Sequence, residues 1–133
     1  FTKFLSSKQG TTSVEFALVV TAFLALVFGI FESGRMFLAW NSFQYAVENA
    51  TRLALVTNGI TELEIQEFVD SELEGMMVNS DNANITVIRS TAASGVEFIE
   101  VDGTYSFQTL MPFLPDSFNT VTLAANSRLP VPP

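Results

Sequence analysis

Glu15 stands at the head of a run, Phe16 to Phe31, that holds no other charge. An uninterrupted apolar stretch of this kind restricts the fold more than any other feature of the chain. Val14 to Phe31 covers about 27 Å as a helix at roughly 1.5 Å per residue, close to the ~30 Å hydrocarbon core of a bilayer. It is apolar on every side, unlike an amphipathic surface helix. A carboxylate costs roughly 2.5–3.5 kcal/mol at mid-bilayer and less near the interface, so a chain that keeps one there has a partner or a task for it. Glu32 and Arg35 close the run at i,i+3 spacing, which suits an ion pair.

Charge sets the expected orientation. Lys3 and Lys8 precede the run, and the sequence beyond it is acidic overall. The positive-inside rule places the N-terminus in the cytoplasm and the larger part outside. A cleaved secretory signal would need small residues after the apolar region; here Glu32-Ser33-Gly34-Arg35 leads directly into more helix-like sequence. A plain uncleaved signal anchor fits the same run.

The 133 residues suit one domain plus an anchor, and the net charge of -8 argues against nucleic acid as a partner. The six basic residues are scattered and form no patch. With no cysteine there is no disulfide or thiol chemistry, and with no histidine the commonest general base and metal ligand are missing. No phosphate loop, dinucleotide fingerprint, zinc spacing or nucleophile elbow occurs. Asn79-Ser80-Asp81-Asn82-Ala83-Asn84 is rich in oxygen ligands but lacks a calcium loop's pattern and closing Glu; a polar helix-to-strand turn is expected there. The expectation is a non-enzyme with no metal, no cofactor and no small-molecule substrate.

Helical periodicity continues past the apolar run. Phe37, Trp40, Phe43, Val47, Ala50 and Ala54 recur at three- and four-residue spacing, with Asn41, Gln44, Glu48, Asn49 and Arg52 largely opposite. No proline interrupts Thr11 to Val56, so one long helix is expected, ended by Thr57-Asn58-Gly59. Phe37, Trp40 and Phe43 are expected to lie under the chain's own domain. Thr61-Glu62-Leu63-Glu64 has the capping-box pattern, with Ile60 and Ile65 placed as a hydrophobic staple. Ile65, Phe68, Val69, Leu73 and Met76 form the expected inner stripe of this second helix, and Glu62, Glu67, Asp70 and Glu74 its solvated face.

Three strands follow. Ile85 and Val87 alternate with Thr86, and Thr91 to Gly95 is turn-like. Ile99, Val101, Tyr105 and Phe107 then share one face, while Glu100, Asp102, Thr104 and Ser106 share the other. Asp102-Gly103 is a tempting hairpin signal. A hairpin there would mix polar and apolar residues on both faces, so a continuous strand is expected, with Gly103 at a bulge or close contact. Pro112 and Pro115 make Thr109 to Phe118 a loop. Val121, Leu123 and Ala125 alternate as a third strand, before a Pro130-Val131-Pro132-Pro133 tail. The fold class is α+β: a long N-terminal helix with a transmembrane first half, a second helix and a three-stranded antiparallel sheet.

Three segments carry a family resemblance. Gly10-Thr11-Thr12-Ser13-Val14-Glu15-Phe16-Ala17-Leu18-Val19-Val20 is the first. Phe28-Gly29-Ile30-Phe31-Glu32-Ser33-Gly34-Arg35-Met36-Phe37 and Ala46-Val47-Glu48-Asn49-Ala50-Thr51-Arg52-Leu53-Ala54 follow. Together they resemble the TadE-like family, minor pseudopilins of the bacterial tight-adherence (Flp-type) pilus system. A sister family, the TadF-like subunits, is poorly separated by these motifs.

The resemblance implies a pilin-like fold, a leader over residues 1–10, a transmembrane helix over 11–35 and an outer domain over 36–133. It implies cleavage between Gly10 and Thr11 by a prepilin peptidase, and an assembly role for Glu15 and Phe16. The carboxylate would meet the new N-terminal amine of a neighbouring pilin or pseudopilin. The implied location is the bacterial inner membrane, single-pass, and the pilus after assembly. The competing expectation is a signal-anchored periplasmic binding or scaffold protein of a secretion system that never enters a filament.

Overall fold

A computed structural model describes residues 8–57, 59–110 and 119–131. The elements run in the order α1 (Lys8–Val56), α2 (Glu62–Gly75), β1 (Ala83–Thr91), β2 (Glu97–Gln108) and β3 (Thr120–Pro130). The chain divides into two compact units, residues 1–34 and 35–133. The division falls inside α1, whose 49 residues contain no proline.

In the first unit α1 is apolar all round, and nearly all its large side chains from Val14 to Phe31 are exposed. It is the one helix among the described residues long and apolar enough to cross a membrane. Two of its hydroxyls fold back on the helix. Thr21 Oγ1 donates to the Ala17 carbonyl (2.7 Å) and Ser33 Oγ to that of Gly29 (2.8 Å). Such back-bonding satisfies the hydroxyls without water.

The second unit is an antiparallel meander in the order β1-β2-β3, packed on α2 and on the later part of α1. Its core comes from five elements. α1 gives Ala39, Phe43, Ala46, Val47, Ala50 and Ala54, and α2 gives Ile65, Val69 and Leu73. β2 gives Ile99, Val101, Tyr105 and Phe107, with Ile85 and Ala125 from the flanking strands. Each large side chain so buried contributes about 1.5–3 kcal/mol.

β2 runs unbroken through Asp102-Gly103, with Gly103 opposite Ile85 on one side and Ala125 on the other. The reason lies in the helix above it. A Cβ on Gly103 would sit 2.6 Å from Phe43 Cζ and 3.0 Å from both Ile85 Cδ1 and Val47 Cγ2. The glycine lets α1 come down onto the sheet. The hairpin turn lies instead at Thr91–Val96. There the Ala92 amide donates to the Val96 carbonyl (2.8 Å), and Gly95 takes a positive φ of 83°.

α2 begins with the expected capping box. Glu64 N donates to Thr61 Oγ1 (3.3 Å), and the Thr61 amide donates back to Glu64 Oε2 (2.8 Å). The helix also guards an edge of the sheet. Ile85 N donates to Gln66 Oε1 (3.0 Å), Gln66 Nε2 to the Ala83 carbonyl (3.3 Å) and Val87 N to Glu62 Oε1 (3.3 Å). Side chains of α2 therefore occupy backbone groups that β1, as an edge strand, would otherwise offer to another chain. Glu62 is exposed, as expected of the outward face, and holds this edge contact as well.

Two expectations are corrected. Of the aromatic trio expected under the domain, only Phe43 is there, with no exposed surface, whereas Phe37 is 61% and Trp40 39% exposed. The geometry explains it. At 100° per residue Phe37 lies about 120° round the helix from Phe43 and Trp40 about 60°. Ala39 is only about 40° away and takes the buried place. Pro130, expected to open the tail, ends β3 opposite Phe98. β3 is an edge strand, where a residue without N–H is tolerated. The expected loop over Thr109 to Phe118 lies largely outside the described residues, as do Asn58, Pro132 and Pro133.

Candidate functional site

The sequence points to α1 as the functional element. Gly10, Thr11, Glu15 and Phe16 all fall within it, and Gly10–Thr11 lies in its opening turns. Thr11 and Glu15, four residues apart, share a helix face separated by about 6 Å of rise. Both are exposed, as is Phe16. Glu15 is the only charged residue from Thr11 to Phe31, so its carboxylate is the one strong acceptor that this length of helix presents to whatever surrounds it.

A stripe of small residues runs along the same segment. Ala17, Thr21, Ala25, Gly29 and Ser33 follow one another at four-residue spacing. The back-bonded hydroxyls of Thr21 and Ser33 keep the stripe smooth. Within a bilayer such a stripe lets another helix approach closely, where packing replaces the hydrophobic effect as the driving force. In the sequence the signal for these small positions is the four-residue recurrence of Ala, Thr, Gly and Ser.

Phe37, Trp40 and Phe43 are not brought together. Phe43 packs on Tyr105, with ring centroids 5.6 Å apart. Phe37 and Trp40 instead meet edge to face on the exposed side, 6.4 Å between centroids. The Tyr105 hydroxyl is held above its ordinary ionisation range chiefly by burial, partly offset by a hydrogen bond with Asn82 and by the charge of Arg35.

Among the described residues, no group of His, Cys, Asp or Glu is arranged to hold a metal ion. The polar run after α2 forms a 3-10 turn, Ser80–Asn82, capped by Asn79 Oδ1, which accepts from the Asp81 amide (2.8 Å). On the open face of the sheet the Asn126 amide donates to both Glu100 and Asp102, and Arg128 lies 3.9 Å from Glu100 and over the ring of Phe98. These contacts tie β2 to β3.

No curated protein and no solved structure matches the chain. The stretch that matches a known family ends inside α1 and leaves α2 and the sheet outside it. It contains Gly10, Thr11, Glu15 and Phe16: residues 10–52 are TadE-like, matching the family model for TadE-like protein.

Proposed function

We propose that the chain is a minor pilin-like subunit of a Tad pilus system, held in the membrane by α1 and contributing to assembly or initiation of the filament, and through it to adhesion. The observation that supports this most is the lone carboxylate of Glu15 on an exposed apolar helix that falls within the TadE-like match. An ionised group there is tolerated when it meets a cation. After cleavage between Gly10 and Thr11 by a prepilin peptidase, the Thr11 amine of a neighbouring subunit supplies one. Phe16 and the small-residue stripe then pack helix against helix. The partners on this reading are other pilin or pseudopilin subunits, and the second unit projects outside the inner membrane.

The test is Glu15→Ala. Insertion should persist, because the variant is more apolar, while pilus production or co-purification of partner subunits falls. Full piliation at normal expression would remove the assembly role. The mature N-terminus is a separate test: mass spectrometry should find Thr11 first in cells with an active peptidase. A peptide running from Gln9 through Glu15 in that sample would exclude the cleavage.

The competing reading is a signal-anchored scaffold that stays out of the filament. It draws on the fact that the family match covers only residues 10–52. On that reading any apolar helix serves, and Glu15→Ala changes nothing.

A further inference from the structure

The two edges of the sheet differ in what occupies them. Pairing fixes which backbone groups each edge turns outward. In an antiparallel ladder, pairs that exchange hydrogen bonds alternate with pairs whose groups point away from each other. The Ala92 amide donates to the Val96 carbonyl, and β1 keeps that register with β2 as far as Ala83. Ile85 and Val87 then turn their amides outward, and these are the amides that Gln66 and Glu62 hold.

The same parity applies to β3. The Val131 amide donates to the Glu97 carbonyl (2.8 Å) and the Thr109 amide to the Asn119 carbonyl (2.9 Å), and the register between these two bonds is unbroken. The odd-numbered residues of β3 therefore bond β2. Thr120, Thr122, Ala124, Asn126 and Arg128 turn N–H and C=O groups to the open edge, about 7 Å apart. Among the described residues nothing bonds these groups.

Nor is this edge blunted. Natural edges are interrupted by bulges, lysines or prolines. β3 runs for 11 residues without a bulge, and its proline is the last of them. Its one charge, Arg128, already lies against Glu100 and over the ring of Phe98. On the face that Ala125 turns to the core, Val121 is 37% exposed and Leu123 and Leu129 are half-buried. The edge thus offers five backbone donors beside an incompletely covered apolar row.

We propose that the edge of β3 accepts an extended segment of another protein as an antiparallel fourth strand. Its backbone bonds the outward amides and carbonyls, and its alternate apolar side chains continue the row of Val121, Leu123 and Leu129. A second copy of this chain fits less well. Its β1 edge is held by α2. Pairing β3 with β3 brings together two chains of net charge -8, which like charge opposes. The segment is therefore neutral or basic, with apolar and polar residues in alternation. The edge lies wholly within the second unit and asks nothing of the first.

Hydrogen exchange of the full chain in detergent micelles, followed by NMR, reads the edge amide by amide. In the free chain Thr120, Thr122, Ala124, Asn126 and Arg128 should exchange many-fold faster than Val121, Leu123, Ala125, Ser127 and Leu129. The probe is a blocked peptide in which valine alternates with threonine and lysine. It should slow the first set and leave the second unchanged. No slowing at about 1 mM peptide, the weak end of specific binding, overturns the inference. Slow exchange of the first set in the free chain at every protein concentration would show that the chain covers its own edge. Slow exchange that grows with protein concentration would make a second copy the occupant. Either result overturns the proposal.

Backbone recognition is separated from side-chain contact with N-methylated peptides. Peptide residues paired with Thr122, Ala124 and Asn126 share their face and turn their amides to β3, so they are the polar ones. Methylating the threonine and lysine amides should abolish binding, and methylating the valine amides should spare it. Binding that survives both changes is held by side chains and overturns the inference. Ala124→Pro removes one outward amide and keeps the bonds to β2, since an edge tolerates proline where its N–H faces solvent. It should weaken peptide binding about tenfold, with a urea midpoint close to wild type. Unchanged binding in the folded variant overturns the inference. Where Ala124→Pro fails to fold, the methylated peptides on the wild-type chain decide.

Discussion

Between Val14 and Phe31, α1 is apolar on every side and nearly all its large side chains are exposed. Between Met36 and Ala54 it buries one stripe and exposes the rest. The residue types tell the two apart. Outside its stripe of small residues the first stretch is mostly Phe, Leu and Val, whereas the buried stripe of the second uses four alanines beside Phe43 and Val47. Small residues are needed where a sheet must come close, and Gly103 shows how close, since even one methyl group would meet Phe43, Val47 and Ile85. The first stretch makes no such accommodation to a sheet, and it is long and apolar enough to cross a membrane. What separates the two stretches of one helix is that the second sets polar residues opposite its apolar stripe, while the first has none to set there beyond Glu15 and Thr21.

The largest expected effect tests that contrast directly. Phe43→Ala should destabilise the second unit by about 3–5 kcal/mol, the range for truncating a buried aromatic. Leu18→Ala, on the uncovered stretch, should leave unfolding of that unit within about 0.5 kcal/mol of wild type. Urea unfolding of the full chain in detergent micelles, followed by fluorescence of its single tryptophan, reads both. Equal effects would erase the distinction between the two stretches.

Gly103→Ala comes next. The added Cβ forces the buried Phe43 ring to shift, at a cost of about 1–3 kcal/mol. An unchanged urea midpoint would mean that α1 can retreat from the sheet without loss.

Much of this fold was legible in the sequence because its signals are local. The capping box needs only Thr61 and Glu64, the sides of β2 follow from alternation through Phe107, and parity at Asp102-Gly103 excluded the wrong hairpin. What escaped the reading is relational. Which aromatic of α1 faces the sheet depends on where Gly103 admits a ring, and large apolar residues drew attention to Phe37 and Trp40 when alanine at position 39 was the buried neighbour. Likewise Glu62 reads from sequence as an outward residue of α2, and only the folded chain shows that it and Gln66 meet the edge of β1. At the candidate site, Glu15 was conspicuous because a lone charge stands out in an apolar run.

Trp40 sharpens the comparison from the boundary between the stretches. Being 39% exposed, it shelters part of its ring, so Trp40→Ala should cost roughly 1–2 kcal/mol, well short of Phe43→Ala. This variant lacks the fluorescent reporter, so its unfolding is followed by far-ultraviolet circular dichroism alongside wild type. A loss matching that of Phe43→Ala would restore Trp40 to the core.

The smallest effect separates burial from end-capping as a source of helix stability, and it is found on α2. The Glu64 carboxyl is held below its ordinary value of 4.5, first by the Thr61 backbone amide and then by the Thr61 hydroxyl, against a lesser opposing effect of desolvation. A carboxyl whose folded pKa is depressed adds stability that is present above its unfolded pKa and lost as pH falls through the folded one. Glu64→Gln removes that titration while keeping an acceptor at the helix start. Wild type should therefore exceed Glu64→Gln in urea midpoint at neutral pH, and the gap should close once the pH drops below the folded pKa. Thr61→Ala should cost about 1 kcal/mol at neutral pH, as loss of an N-cap does, because the hydroxyl no longer accepts from the Glu64 amide. A gap between wild type and Glu64→Gln that persists undiminished into acid would show that the carboxylate is not its source, leaving burial of Ile65, Val69 and Leu73 to hold α2 in place.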